Sequence, residues 1–260
     1  MNDLKPHLLR FPMIFTIVTI LACLGIFYLE DTLGITGTIA QEMLHSSVQT
    51  LLAAAIIIAM IKLDWLSKSG LTTPMKNWHP MWWLATLPMA LIGVVNALSI
   101  DWANLTFDIT SIAAWFFNNI STGIFEETLL RGFCFCLLLT AWQHKPNALL
   151  KAAIAQAVLF GIAHLTNLQD GVGADIYPQV IYATLLGIGF AGIVTFTKSL
   201  WPAIIVHTVI NALGDVNNFF VADYIRTPPQ ASNYIGAIII IFVVSTLPGL
   251  FMLRKAAKQN

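Results

Sequence analysis

Eight apolar stretches, most of them close to 20 residues long, determine what this chain can fold into. A helix needs about 20 mostly apolar residues to cross the roughly 30 Å hydrocarbon core of a bilayer. Backbone polar groups in lipid must be satisfied within the protein, and these stretches are too long and unbroken for barrel strands. The predicted fold class is therefore all-α, a polytopic membrane protein with a bundle of about eight transmembrane helices. The stretches are 11–29, 44–63, 81–99, 109–142 (long enough to contain a break), 147–165, 177–197, 200–214 (short) and 233–253.

The composition supports the membrane assignment and excludes most soluble folds. The 260 residues are 57% hydrophobic and only 10% charged, whereas about a quarter of the residues in a soluble domain are charged. Thirteen basic and thirteen acidic residues cancel, so there is no overall positive field and no nucleic-acid partner is expected. The cysteines lie in apolar stretches and indicate neither disulfides nor a cysteine metal site. They are Cys23, Cys134 and Cys136.

The basic residues predict the orientation of the helices, because short cytoplasmic loops are enriched in Lys and Arg. One side of the bundle receives Lys5, Arg10, Lys62, Lys68, Lys76, Lys145, Lys151, Lys198, Arg254, Lys255 and Lys258. The other side receives Glu30, Asp31, Glu42, Asp101, Asp108, Asp170, Asp175, Asp215, Asp223 and the single base Arg226. Both termini are therefore predicted to be cytoplasmic.

No internal repeat, low-complexity segment or long linker divides the chain. Residues 1–260 are predicted to form a single transmembrane domain, with a motif-bearing core at about 109–214. Small residues in the sixth stretch allow another helix to approach closely. They are Gly187, Gly189, Ala191 and Gly192.

Ionisable side chains within the fourth stretch are the first functional candidates, because charges at bilayer depth are costly and are usually functional. Glu127 and Arg131 are four residues apart, so they share a helix face and can pair. Glu126 points about 100° away from Glu127. It is left for another partner, which suits a general base or acid.

Two other stretches add polar groups that can meet these carboxylates. The fifth ends in His164, and the seventh carries His207 and Asn211 on one helix face. Six such residues from three helices indicate a site. The remaining histidines are predicted to be solvated at helix ends or in loops: His7, His45, His79 and His144. Four polar residues precede the carboxylates: Asn118, Asn119, Ser121 and Thr122. They either line a water-filled approach to the carboxylates or form hydrogen bonds between helices.

These residue types support two hydrolytic schemes that the sequence does not separate. In one, a carboxylate and an imidazole activate water to attack an amide, while the other His and the Asn stabilise the oxyanion. In the other, two His and one Glu bind a divalent metal such as zinc, with an open position for water. The ligands would then be Glu126, His164 and His207. The zinc-protease helix with two His four residues apart and a Glu between them is absent from the sequence.

The order of the motifs resembles a known family. Glu-Glu-x-x-x-Arg at 126–131, Phe-x-x-x-His at 160–164 and His-x-x-x-Asn at 207–211 are similar to the motifs of the CAAX protease and bacteriocin-processing (CPBP, or Abi) family of intramembrane proteases. The resemblance covers about 126–211. It implies an eight-helix bundle with endopeptidase activity.

The resemblance also implies a role for each candidate residue. Glu126 would be the general base and His164 would position the water. His207 and Asn211 would form the oxyanion site, with Glu127 and Arg131 as the supporting pair. The family has been described both as metal-dependent and as glutamate-dependent, and we favour the latter because no further Asp, Glu or Cys stands beside the two histidines.

Family substrates include prenylated CAAX C-termini, peptide pheromones, signal sequences and bacteriocins. This short chain resembles the bacterial members, so we expect peptide processing or bacteriocin self-immunity in a bacterial cell membrane. A proton- or ion-coupled transporter is one alternative, although no inverted repeat supports it. A non-catalytic bacteriocin-immunity membrane protein is another.

The depth of His207 is the one feature that conflicts with a shared site. At 1.5 Å per residue, Glu126 and His164 lie about 25 and 28 Å from the cytoplasmic ends of their helices, but His207 lies only about 13 Å from Lys198. Either a buried connection between the sixth and seventh stretches, or extension of the fourth and fifth beyond the membrane, would bring the three residues level.

Overall fold

The computed structural model describes residues 4–35, 37–166, 176–224 and 231–258, and it is built from helices. The α-helices are α1 (Leu4–Arg10), α2 (Pro12–Asp31), α3 (Thr38–Lys62), α4 (Trp82–Ala97), α5 (Ile109–Glu127), α6 (Phe135–Trp142), α7 (Ala148–Ala163), α8 (Ile176–Thr197), α9 (Trp201–Gly214), α10 (Val216–Phe220), α11 (Ala231–Ile241) and α12 (Leu247–Ala257). The described residues contain no β-strand beyond an isolated bridge between Leu105 and Val221. The predicted all-α class is confirmed.

The eight predicted stretches correspond to eight apolar helical segments. Among the described residues, five helices are long and apolar enough to cross a membrane: Pro12–Asp31, Ile39–Lys62, Ala148–Thr166, Ile176–Thr197 and Ser232–Ala257. Two are shorter, Trp82–Ala97 and Trp201–Gly214, and the eighth is the charged segment that runs through α5 and α6. The chain is therefore a multi-pass membrane protein. Asp170, Asp175 and Arg226, used for the orientation, lie outside the described residues, and the orientation stays a prediction.

The fourth stretch is a continuous helix whose hydrogen bonding changes in the middle. Asp108 caps its start, because its side chain accepts hydrogen bonds from the backbone N–H groups of Thr110 and Ser111 at 2.9 Å each. The Ser111 bonds lower the pKa of the exposed Asp108 carboxyl. A buried π-helical segment, Thr128–Cys134, then joins α5 to α6. Such π segments occur frequently at functional sites, and this one contains Arg131.

Glycine residues bring α8 and α12 into backbone contact. A Cβ atom on Gly192 would lie 2.5 Å from the Cα of Gly249, and one on Gly249 would lie 2.7 Å from the Cα of Gly189. A Cβ on Gly187 would lie 2.8 Å from the Cβ of Ala157 on α7. The close helix approach predicted for the sixth stretch is confirmed.

We expect Gly192→Val to lower the free energy of unfolding by about 1–3 kcal/mol or more, because the new side chain meets backbone that cannot move aside. Unfolding in denaturant with the protein in detergent measures the change. Gly236→Val on α11 is the matched control, since a Cβ there meets nothing within 4 Å. Equal stability of the two variants would contradict the close approach.

A buried connection between α8 and α9 explains the depth of His207. Leu200 in this connection is fully buried, and its N–H donates to the carbonyl of Gly70 at 3.3 Å. The indole N–H of Trp201 donates to the carbonyl of Leu71 at 2.8 Å. The segment after α3 thus packs against the start of α9. These contacts support the first of the two alternatives, a connection that is largely buried.

Candidate active site

The two adjacent carboxylates at the end of α5 have different surroundings. Glu127 is fully buried, and its Oε1 accepts a hydrogen bond from Nη1 of Arg131 at 2.9 Å. The pairing expected from the four-residue spacing is therefore present. Glu126 is half-buried, and its side chain lines a cavity.

His207 on α9 lies between the two carboxylates. Its Nδ1 is 2.8 Å from Oε1 of Glu127, and its Nε2 is 3.5 Å from Oε2 of Glu126. Because Oε1 of Glu127 already accepts a bond from Arg131, we assign it as the acceptor here too, so Nδ1 of His207 carries the hydrogen. This hydrogen bond fixes which ring nitrogen faces Glu126.

Glu126 and His164 line the same cavity, which has a volume of about 1220 Å³ and also contacts α2 and α3. His164 caps the C-terminal end of α7, and its Nδ1 lies 2.9 Å from the carbonyl of Phe160. If Nδ1 donates to that carbonyl, Nε2 is left as an acceptor for a water molecule. The exposed residues Tyr28 and Asp31 form part of the lining, so the cavity opens on the side of the acidic loops.

Asn211 is brought near this group by α9, one helical turn after His207, and it is half-buried. Among the described residues, its side chain forms no hydrogen bond with Glu126, Glu127 or His207. The structure thus joins Glu126, Glu127, Arg131 and His207 by direct contacts and places His164 on the same cavity. Asn211 follows His207 by one helical turn but has no hydrogen bond to these described residues.

Arg131 is stabilised by aromatic rings as well as by Glu127. It is 1% exposed, and its Nε and Nη2 have no hydrogen-bond partner in the part of the chain that the structure describes. Its guanidinium carbon lies 4.8 Å from the ring centroids of both Phe160 and Phe190. Guanidinium groups stack favourably on aromatic faces, so these rings take the place of the missing partners.

A second polar network on the cavity wall was not predicted as a site. His45 Nδ1 lies 3.2 Å from Glu30 Oε2, and its Nε2 lies 3.1 Å from Nε2 of Gln49. Thr122 donates to Oε1 of Gln49 at 3.0 Å. The prediction that His45 is solvated at a helix end is therefore wrong: it lies within α3, where its spacing to Gln49 places both on one face. That four-residue spacing on an apolar helix was the available signal.

Of the four polar residues before the carboxylates, two follow one of the two alternatives and two follow neither. Asn118 and Thr122 line the cavity, as a wet approach requires. Asn119 and Ser121 donate to carbonyls of their own helix. His7 and His144 are exposed as predicted, whereas the half-buried ring of His79 packs against Phe196 with centroids 4.1 Å apart.

The alternative metal site would need three ligand side chains in one group. Within the described residues, which include Glu126, His164 and His207, no group of three His, Cys, Asp or Glu side chains could hold a metal ion. No step of the chemistry is therefore derived through a metal, and activity without one stays a prediction.

Comparison with known proteins agrees with the motifs. Residues 108–213 match the family model described as type II CAAX prenyl endopeptidase Rce1-like. Neither the curated proteins nor the solved structures contain a match to the chain. The matched segment contains all six candidate residues. The resemblance predicted from the ordered motifs is therefore confirmed over residues 108–213, and at the level of the family it indicates an intramembrane hydrolase of the CAAX protease type.

Proposed function

We propose that this protein is an intramembrane endopeptidase in which Glu126 activates the attacking water without a metal. The observation that carries the proposal is the shared cavity of Glu126 and His164, together with the 3.5 Å approach of His207 to Glu126. A carboxylate and an imidazole on one cavity, with a second imidazole in contact with that carboxylate, supply a base, a water-positioning group and a donor.

The proposed reaction is the hydrolysis of one amide bond. Nε2 of His164 accepts a hydrogen bond from the water, and Glu126 removes a proton as the water oxygen attacks the carbonyl carbon. The carbonyl oxygen becomes an oxyanion that accepts hydrogen bonds from Nε2–H of protonated His207 and from Asn211. Collapse breaks the C–N bond, and Glu126 returns the proton to the leaving amine.

The proposed step places His207, in its protonated form, among three other charged side chains. Two carboxylates, Glu126 and Glu127, then face two cations, Arg131 and His207, so the buried group is neutral overall. Glu127 and Arg131 accordingly hold His207 in place and do not react themselves.

The substrate is proposed to be a membrane-associated peptide that enters from the side of the acidic loops, where the cavity opens. Cleavage of a pheromone-like or signal-type peptide, or of a bacteriocin for self-immunity, in a bacterial cell membrane is proposed from the family resemblance. A prenylated C-terminus is the further substrate class that the matched family description suggests for this site.

The experiment that tests this function is peptide cleavage by purified protein in lipid nanodiscs. A library of apolar peptides is incubated in water enriched in ¹⁸O, and the products are identified by mass spectrometry. We expect a single internal cut with one ¹⁸O in the new carboxylate, because the nucleophile is water. A library left intact by folded protein, or product carboxylates free of ¹⁸O, would contradict the proposal.

Metal removal gives a separate prediction for the cofactor. We expect cleavage to survive treatment with a strong chelator, because the described His, Cys, Asp and Glu residues form no metal-holding group. Metal content is measured in the same sample. Loss of activity that returns only when zinc is added back would show that the scheme without a metal is wrong.

A further inference from the structure

Phe190 on α8 touches two members of the candidate site, although it lies outside all three sequence motifs. It is 1% exposed, so both faces of the ring are covered by protein. Its ring is stacked on that of His207, with centroids 4.8 Å apart and planes inclined by 21°. It also lies 4.8 Å from the guanidinium carbon of Arg131.

The stacking restricts the orientation of His207. An imidazole can rotate about its bond to Cβ, and each rotation changes which atoms face Glu126. With the flat ring of Phe190 against one face, the imidazole of His207 keeps two orientations, which differ by a 180° rotation about its bond to Cβ. The 2.8 Å contact between Nδ1 and Glu127 selects the one in which Nε2 faces Glu126. Stacking and hydrogen bond together therefore define one ring position.

The contact with Arg131 connects the same ring to Glu127. Within the described residues, Arg131 has one hydrogen bond to Glu127 and two nitrogens without a partner, so the faces of Phe160 and Phe190 stabilise its guanidinium in the bundle. Arg131 in turn holds Glu127 at 2.9 Å, and Glu127 receives Nδ1–H of His207. Phe190 thus acts on His207 directly and through this pair.

We infer that Phe190 is a positioning residue that holds His207 with Nε2 directed at the reacting groups. This inference rests on the proposed function for its catalytic consequence, but the ring geometry itself does not depend on any activity. The two parts are therefore tested by different measurements on the full-length protein in nanodiscs.

The first measurement is an NMR spectrum of protein labelled with ¹³C at histidine Cε1, with the His207 signal assigned by its loss in His207→Gln. Stacking on Phe190 predicts that, in the wild type, the signal of the proton on Cε1 of His207 lies upfield of the signal of an unstacked histidine. Phe190→Leu removes the aromatic face and should return the signal downfield. Phe219→Leu, in a separate cluster of the core, is the matched control and should leave the signal in place.

The second measurement is the rate of peptide cleavage. For Phe190→Leu we expect kcat to fall by about 10- to 100-fold while KM changes little, because a displaced catalytic group affects the reaction more than substrate binding. Phe219→Leu should keep the wild-type kcat. A Phe190→Leu protein with a wild-type kcat would overturn the inference.

The two arms separate the possible failures. Suppose that the wild type cleaves no peptide, but that its His207 signal lies upfield and returns downfield in Phe190→Leu. The proposed function then fails, while the role of Phe190 in orienting the ring stands. An unshifted His207 signal in the wild type overturns the inference even if Phe190→Leu does not fold.

Discussion

Glu126→Gln is expected to reduce kcat for peptide cleavage by about 10²- to 10⁴-fold, the contribution typical of a positioned general base. The amide has nearly the shape of the carboxylate but cannot accept the water proton. Glu126 contacts His207 only at 3.5 Å and faces the cavity, so the substitution removes the base without removing a close packing contact. The rate is measured with the best peptide from the library, and folding by thermal unfolding in detergent.

Glu42→Gln is the matched control for Glu126→Gln. Glu42 also lines the cavity, and the same loss of a carboxylate there tests whether any negative charge in the cavity suffices. We expect its kcat to stay close to that of the wild type. If Glu126→Gln cleaves as fast as Glu42→Gln, Glu126 is not the base.

Arg131→Met is expected to lower the free energy of unfolding by about 3–5 kcal/mol, because removing one partner of a buried ion pair leaves an uncompensated charge. Glu127 would keep its hydrogen bond to His207 but lose the positive charge of Arg131 at 2.9 Å. Methionine fills similar space, so loss of packing contributes little. The change is measured by chemical unfolding in detergent.

The double variant Glu127→Leu/Arg131→Met separates charge from volume. Buried ion pairs replaced on both sides by apolar residues are often nearly neutral in stability, so most of the lost stability should return. Activity should not return, because His207 would lack its partner at Nδ1. If Arg131→Met alone is as stable as the wild type, the buried pair does not have the assigned role.

The helices could be predicted because their length and apolar character are local properties of the sequence. The pairing of Glu127 with Arg131 is local in the same sense, since it depends only on a four-residue spacing. The depth of α9 was not predictable in this way. It depends on the segment after α3 folding over Leu200, a contact between residues about 130 positions apart.

The long-range features of the site were missed for the same reason. Nothing in the sequence next to Phe190 indicates that its ring will stack on His207, because the stack depends on how α8 and α9 pack. His45 was assigned to a solvated helix end because the predicted stretch began at residue 44, whereas α3 begins six residues earlier, at Thr38. Because of this boundary error, His45, which lines the cavity, was predicted to lie at the surface.

The short helices α4 and α9 lie side by side, which affects the surrounding lipid. Asn96 donates to the carbonyl of Ile210 at 2.9 Å, so the two helices are in contact. With 16 and 14 residues, they span only about 24 and 21 Å, less than the hydrocarbon thickness of about 30 Å. Hydrophobic mismatch of this kind is relieved by local thinning of the bilayer. Thinning beside α9 would bring bulk water closer to the depth of His207 than it is around the longer helices.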